Sequence, residues 1–584
     1  MKQLMLGNEG VARGLYESGC SVISSYPGTP STEITEYAAN YPEIYCEWAP
    51  NEKVAYEVAV SAAIGGVRSF CAMKHVGLNV AADPLFTTAY TGINAGLIIA
   101  VADDQGMLSS QNEQDSRHYA IAAKVPMLEP VDSRQCIDFV AEAYRISEQF
   151  DTPTMLRLST RVSHSQSIVQ QGERTEVAKK PYQKNPAKYV MMPAAAQRRH
   201  VVVEERSKAL AEYAETTPLN RVYPGSDGRI GIITAGICFQ YAREAMPDAP
   251  ILCLGMVNPL PKKRIEDFAA SVERVVVIEE LDGIIETHCA TIGVAVTGKA
   301  LFGYIGEISQ SIIRQKLLGE AAPACVQYPR QVPVRPPVLC PGCPHRGVFY
   351  TLSRLGVTVF GDIGCYTLGA LPPLGAIDTT LCMGASVSGL HGFLLANGEQ
   401  AAKKSVAVIG DSTFVHSGIT GLINSVYNGT SSTIIIMDNS ITGMTGHQQN
   451  PTTGYSLRGM PAPQLSLEAL CTACGVGLVT VVDPADLAAT RSAVEAALAF
   501  DGVAVVITRR PCALLKGVKR FPAVTVAQND CIGCKRCMGI GCPAITMENG
   551  KASVDSTLCV GCGLCMSLCP KKAIRASKEG VSHE

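Results

Sequence analysis

The last sixty residues leave the chain little freedom. From Cys531 the sequence runs CIGCKRCMGIGCP, and from Cys559 it runs CVGCGLCMSLCP, so eight cysteines form two copies of one pattern. The first three cysteines of each copy lie 28 residues apart and the fourth 27. Thiolates at C-x2-C-x2-C-x3-C-P spacing hold paired [4Fe–4S] clusters, the fourth cysteine of each run crossing to the other cluster. The spacing assigns Cys531, Cys534, Cys537 and Cys569 to one cluster, and Cys559, Cys562, Cys565 and Cys542 to the other. The first run has four residues before its last cysteine where the second has three. Between the copies, AITMENGKASVD alternates about Asn549-Gly550, a hairpin signal. A disulfide framework suits small secreted chains. A zinc ribbon lacks the third cysteine of each run and the prolines behind them.

A chain of 584 residues is long enough for roughly three to five domains. A net charge of −2 argues against nucleic acid or a membrane surface as partner. The opening MKQLMLGNEGVARGLYESG lacks the apolar core of a signal peptide, and no apolar run approaches the length of a membrane span. The other fifteen cysteines are scattered, as in a reducing cytoplasm, so a cytoplasmic location is expected.

Hydrophobic runs alternating with helical stretches predict an α/β architecture with parallel sheets covered on both faces. Residues 1–190 read as βαβ units: SVISSYPGTPSTEITEYA is strand, turn and helix start, and GLIIAVADD is a buried strand ending in two acids. Residues 165–200 read as a polar, strandless linker. A smaller α/β unit is expected over 200–320, with strands in GRIGIITAG, APILCLGMVNPLP and VERVVVIEEL. The Pro-rich YPRQVPVRPPVLCPGCP reads as a connector to a larger α/β domain over 335–515, and the cysteine tail occupies 522–584.

In that larger domain, VIGDSTFVHSGITGLINSVYNGTSSTIIIMDNS ends one strand at Gly410-Asp411-Ser412 and the next at Asp438-Asn439. Adjacent parallel strands put both ends on one carboxyl edge, where open α/β sheets bind ligands. A carboxylate and an amide oxygen there make a hard oxygen site, which Mg²⁺ would complete with a backbone carbonyl and diphosphate oxygens. Asp and Asn also cap helices; the 28-residue spacing, with a hydrophobic strand before each, favours the ligand reading.

This stretch resembles the signature of thiamine diphosphate enzymes. The resemblance implies that Gly410, Asp411 and Ser412 bind the cofactor, and that Asp411, Asn439 and the carbonyl of Ile441 hold Mg²⁺ against its diphosphate. It also implies a second α/β domain that holds the aminopyrimidine and supplies a catalytic glutamate. In APNEKVAYEVAVSAAIGGVRSFCAMKHVGLN, Glu52 matches by its distance from Gly65-Gly66, with Glu57 as the alternative.

Thiamine chemistry joined to an iron–sulfur tail resembles the 2-oxoacid:ferredoxin oxidoreductases, over essentially the whole chain. Within them the likeness is to the alpha subunits of the indolepyruvate enzymes, carried by YPGTPSTEI, MKHVGLNVAADPL, SSQNEQDSR, CPGCPHRG, GDSTFVHSGITGLINSVYN, NSITGMTGHQ and the lengthened first cysteine run. The implied fold is a pyrimidine-binding domain, a transketolase-C-terminal-like domain, a diphosphate-binding domain and a ferredoxin-like 2[4Fe–4S] domain. The implied reaction decarboxylates an aryl pyruvate oxidatively with coenzyme A, giving an aryl-acetyl-CoA, CO₂ and electrons for ferredoxin. The implied partner is a beta subunit that supplies a gamma domain this chain lacks, in a heterodimer or an α2β2 assembly. Thr29 in YPGTP is the matching position for contacting the keto acid, and His75, His416 and His447 fall in matching motifs. A different 2-oxoacid, a non-oxidative thiamine diphosphate decarboxylase and a pure electron-transfer subunit are the competing readings.

A relay between cofactor and tail needs further ligands. Cys340 and Cys343 form a CxxC pair, Cys365 sits in GDIGCYTLG, and Cys512 follows the domain's last strand. Three segments of one α/β domain can converge at its carboxyl edge, which makes these four a candidate third cluster. Buried cysteines also serve simply as small hydrophobes.

Overall fold

The longest strands are runs rich in Val, Ile, Ala and Met that lie parallel in the interior, as sheets covered on both faces require. The computed structural model describes residues 2–321 and 336–577, and the chain divides into two compact units, Met1–Pro329 and Arg330–Glu584. The connector expected from residue 328 lies outside the described residues as far as residue 335.

In the first unit, β1 (Val22–Ser25) and β2 (Tyr45–Trp48) are followed by α1 (Glu52–Ile64), β3 (Ser69–Lys74), α2 (His75–Thr91), β4 (Leu97–Asp103), β5 (Met127–Leu128) and β6 (Thr154–Ser159). They form a sheet in the order β5-β6-β4-β3-β1-β2, extended beyond β5 by the antiparallel Met256–Asn258. The register pairs Lys74 with Ala102 and Asp103 with Ser159, so Lys74, Asp103 and Asp104 gather at one carboxyl edge.

Residues 221–297 form a five-stranded sheet in which only Arg221–Tyr223 runs antiparallel. Its Ile233, Leu252 and Val277 share one core with Ile99, Met127 and Met155 of the first sheet. Residues 165–200 are not strandless: Gln166–Gln170 pairs antiparallel with Lys2–Leu6. QSIVQ holds only two apolar residues, Ile168 and Val169, between polar ones, too short a run to show a strand period by itself.

The second unit holds an all-parallel sheet of β7 (Thr358–Gly361), β8 (Ser405–Gly410), β9 (Ser432–Asp438), β10 (Leu478–Val482) and β11 (Val503–Arg509), with Thr379–Thr380 on the β7 edge. The order is β7-β8-β9-β11-β10. The tail pairs Val524–Val526 with Ile574–Ala576 and folds Ile545–Glu548 against Lys551–Val554. Asn549 and Gly550 both have positive φ, 49° and 78°, the turn a tight hairpin requires. No helix among the described residues is long and apolar enough to cross a membrane.

Candidate active site and cluster sites

In the second unit, Gly410 of β8 pairs with Met437 of β9, which sets Asp411 opposite Asp438 and Asn439 one residue beyond. Asp411 and Asn439 are both buried. Burial, and then the Asp438 carboxylate, push the Asp411 carboxyl up to about 7, although Thr452 Oγ1 donates to its Oδ2 at 3.1 Å. Arg509 offsets Asp438 at 2.6 Å. A buried carboxylate this short of positive charge has the chemistry of a cation ligand. Ile441, also buried, donates its N–H to Asn439 Oδ1 at 3.3 Å, and Ser412 Oγ accepts from Thr442 Oγ1 at 2.9 Å. These residues fit Mg²⁺ with a diphosphate.

His345 escaped the sequence reading. Its Nε2 stands 3.4 Å from the Asn439 amide nitrogen, and burial pushes the imidazole down to about 4, so it stays neutral beside the pair. The only signal was its place in CPGCPHRG. His416 is buried, with Nδ1 2.8 Å from Ser417 Oγ. His447 stands 3.7 Å from Cys512 Sγ and so belongs with the cysteines.

The four scattered cysteines come together around the same strand ends. The Cys512 N–H donates to the Asn439 carbonyl at 2.9 Å. A side chain at Gly443, four residues on from Asn439, would meet Cys365 Sγ at 3.5 Å. Burial, then Cys512 and Cys340, push the Cys365 thiol up to about 11. Burial likewise pushes Cys343 up to about 12, with Cys340 and Cys365 adding to it. Burial and the neighbouring sulfurs both disfavour the thiolate forms, which iron binding would stabilise. Buried Arg346 links this set to the tail: it donates to the carbonyls of Leu339 and Cys340 on one side and of Ile540 and Gly541 on the other.

The tail forms two partly open hollows. One is lined by Cys531, Cys534, Cys537 and Cys569. The other is lined by Cys542, Cys559, Cys562 and Cys565, with Arg346 in its wall. Backbone N–H groups point at sulfur, Ala552 to Cys531 at 3.4 Å and Ala573 to Cys569 at 3.2 Å. The Ala552 and Gly533 N–H groups hold the Cys531 thiol below its usual range, as a ligating thiolate requires. Among the described residues no three His, Cys, Asp or Glu side chains converge as for a single metal ion; a four-iron cube is larger and spreads its ligands.

In the first unit, Glu52 opens α1 behind the Asn51 cap and is 5 % exposed. Its carboxylate lies against Gly77 of α2, where a Cβ would sit 2.5 Å from Glu52 Oε1. Glu57 instead faces solvent and pairs with Lys53. Thr29 sits in the turn after β1, its carbonyl accepting from Ser109 Oγ at 3.4 Å. His75 opens α2, buried, with Nε2 3.2 Å from the Asn112 carbonyl.

Comparison with known proteins places these features. Residues 13–218 match the family "Pyruvate flavodoxin/ferredoxin oxidoreductase, thiamine diP-bdg", and residues 362–508 match "Thiamine pyrophosphate enzyme, C-terminal TPP binding domain". Residues 552–575, around the second cysteine run, match "4Fe-4S binding domain". The protein named indolepyruvate oxidoreductase subunit IorA from Methanothermobacter marburgensis is 41% identical over 98% of this chain and 97% of its own length. Those from Archaeoglobus fulgidus and Pyrococcus horikoshii are each 39% identical over 99% of this chain, and over 98% and 97% of their own lengths. The chain, with its thiamine diphosphate-binding and 4Fe–4S domains, belongs to the family of indolepyruvate oxidoreductase IorA subunits, within the 2-oxoacid:ferredoxin oxidoreductases.

Proposed function

We propose that this chain oxidatively decarboxylates an aryl 2-oxoacid such as indolepyruvate, with coenzyme A as acyl acceptor and ferredoxin as electron acceptor. The products are an aryl-acetyl-CoA, CO₂ and two electrons. The observation that carries this reading is the junction of two chemistries at one sheet edge: Asp411 and Asn439 directly follow β8 and β9, and the Cys512 backbone N–H donates to the Asn439 carbonyl.

Thiamine diphosphate, when bound, supplies the carbon nucleophile and the electron sink that decarboxylation of a 2-oxoacid needs. Asp411, Asn439 and the Ile441 carbonyl would hold Mg²⁺ and the cofactor's diphosphate, with Gly410 and Ser412 beside them. Glu52, buried, would hold a proton for the aminopyrimidine in a site where low dielectric strengthens the hydrogen bond. Thr29 contacts the keto acid. In the tail, Cys531, Cys534, Cys537 and Cys569 hold one [4Fe–4S] cluster, and Cys542, Cys559, Cys562 and Cys565 the other. Cys340, Cys343, Cys365 and Cys512 hold a third between cofactor and tail. A beta subunit completes the enzyme, as an α2β2 assembly in the cytoplasm. The domains that divide the labour are 1–190, 200–320, 335–515 and 522–584.

The test is anaerobic co-expression with a beta subunit, followed by assay with aryl pyruvates, coenzyme A and a low-potential viologen. Coenzyme A-dependent dye reduction with CO₂ release is expected. CO₂ and aldehyde without dye reduction would make it a non-oxidative decarboxylase, and absence of bound thiamine diphosphate an electron-transfer subunit. For the third cluster, Cys365→Ser lowers iron from about twelve to about eight atoms per chain; unchanged iron removes that cluster.

A further inference from the structure

Three buried basic side chains serve the carboxyl edge of the first unit's larger sheet, and two have their charge matched by carboxylates at hydrogen-bond distance. Arg117 is held by Asp115 and by Glu279, both at 2.6 Å, and by the carbonyls of Glu280 and Asp282. Arg157 is held by Asp103 and Glu129, both at 2.7 Å. Lys74 is 9% exposed, yet its Nζ donates to the Ser109 carbonyl at 2.6 Å and meets only the Ser109 hydroxyl, at 3.5 Å, beyond that. Among the described residues no carboxylate lies within 4.0 Å of it. Asp104 acts on it from farther away, its oxygens already taken by the Ser109 N–H at 2.8 Å, the Ser110 hydroxyl and the Thr160 hydroxyl at 2.8 Å. Burial pushes the ammonium down to about 8 in spite of Asp104. An ammonium has three donors, and a buried charge without a counter-charge is costly.

Its position says what would compensate it. Lys74 ends β3 and caps α2. The YPGTP turn lies directly on it: a Cβ at Gly28 would sit 3.0 Å from Lys74 Cβ, and Ser109 joins Lys74 to the Thr29 carbonyl. The next residue, His75, keeps a buried Nδ1 with no partner among the described residues. Gly77, one turn on, takes the Glu52 carboxylate. The first-turn N–H groups of the seventeen-residue α2 add positive potential at the same point.

We propose that Lys74 is the cation that receives the substrate's carboxylate, the group lost as CO₂. The assignment rests on the 2-oxoacid reading above and deepens it. A small monoanion can reach a side chain this buried, where a coenzyme A phosphate cannot follow. A single ammonium also suits a group whose charge disappears during the reaction. A bidentate guanidinium grip would stabilise the ground state most strongly, which lowers KM without raising kcat.

The experiment uses the complete enzyme with its beta subunit and compares Lys74→Met and Lys74→Arg with wild type. Turnover of the 2-oxoacid by wild type checks the underlying reading separately. Lys74→Met is expected to keep its thiamine diphosphate and iron, to raise KM for the 2-oxoacid about 100-fold, and to leave KM for coenzyme A unchanged. Lys74→Arg should recover at least tenfold of that loss. If Lys74→Met loses cofactor, Lys74→Gln, one atom shorter than lysine but still a donor, replaces it in the same comparison. A KM for the 2-oxoacid within twofold of wild type, or an equal rise in both KM values, overturns the proposal.

Discussion

Two buried carboxylate clusters, one in each unit, treat charge in opposite ways. In the first, Asp103, Asp115, Glu129 and Glu279 are tied by Arg117 and Arg157 into a closed network at 2.6–2.7 Å. There the ionic groups answer one another, and Asp115 is held well below the usual carboxylate range by Arg117 and Arg157 against the effect of burial. In the second, Asp411 faces another carboxylate and is pushed up to about 7. A closed network is structural mortar joining segments more than 160 residues apart in sequence. SSQNEQDSR, which carries Asp115 and Arg117, therefore has a structural duty, whereas the strand-end pair is the one proposed above to hold a cation.

The largest effect should come from removing the strand-end carboxylate. Asp411→Ala is expected to abolish activity and thiamine diphosphate retention while iron in the tail persists, measured on one anaerobic sample. Normal cofactor occupancy with full activity would mean that both networks are structural.

Breaking the mortar should be costly in another currency. Arg117→Met leaves Asp115 and Glu279 uncompensated and should lower unfolding stability by about 3–5 kcal/mol, read by denaturant titration. A loss below about 1 kcal/mol would show that the network is not closed.

Smaller effects belong to Glu52. Glu52→Gln should retain cofactor but slow exchange of the thiamine C2 proton, followed by NMR, while Glu57→Gln on the solvent face of α1 changes nothing. Gly77→Ala should act the same way more weakly, because its Cβ would displace the Glu52 carboxylate. Equal effects of Glu52→Gln and Glu57→Gln would return the choice to Glu57.

The smallest effect is on pH dependence. A carboxyl raised to about 7 in the folded state binds a proton that the unfolded chain releases near its ordinary 3.8. The cofactor-free protein should therefore lose stability from Asp411 as pH rises from about 4 to 7. Mg²⁺ with thiamine diphosphate should flatten that slope. A slope unchanged by Asp411→Asn would assign it to another group.

Much of the fold was legible because it is local. Continuous apolar runs such as SVAVIG and STIIIMD become buried parallel strands, since a run with no polar alternation fits a sheet covered on both faces. Asn549-Gly550 makes its hairpin because both residues tolerate positive φ. What was missed is non-local. The strand Gln166–Gln170 exists only because Lys2–Leu6 lies alongside it. His345 stands out only by its approach to Asn439, 94 residues away.

By itself, then, the sequence determined where chemistry could occur: the spacing of eight tail cysteines, the strand ends at Asp411 and Asn439, and two acids, Glu52 and Glu57, on one helix. Spacing and strand patterns are short-range properties, set by covalent geometry and side-chain period. Only the tertiary structure decided which acid is buried, that Cys365 and Cys512 meet around Asn439, and that Arg117 is consumed while Lys74 is left without a counter-charge. For Lys74 this means no carboxylate within 4.0 Å among the described residues, with Asp104 acting only from farther away. Each of these depends on which distant groups share a desolvated site, and only packing brings those groups together.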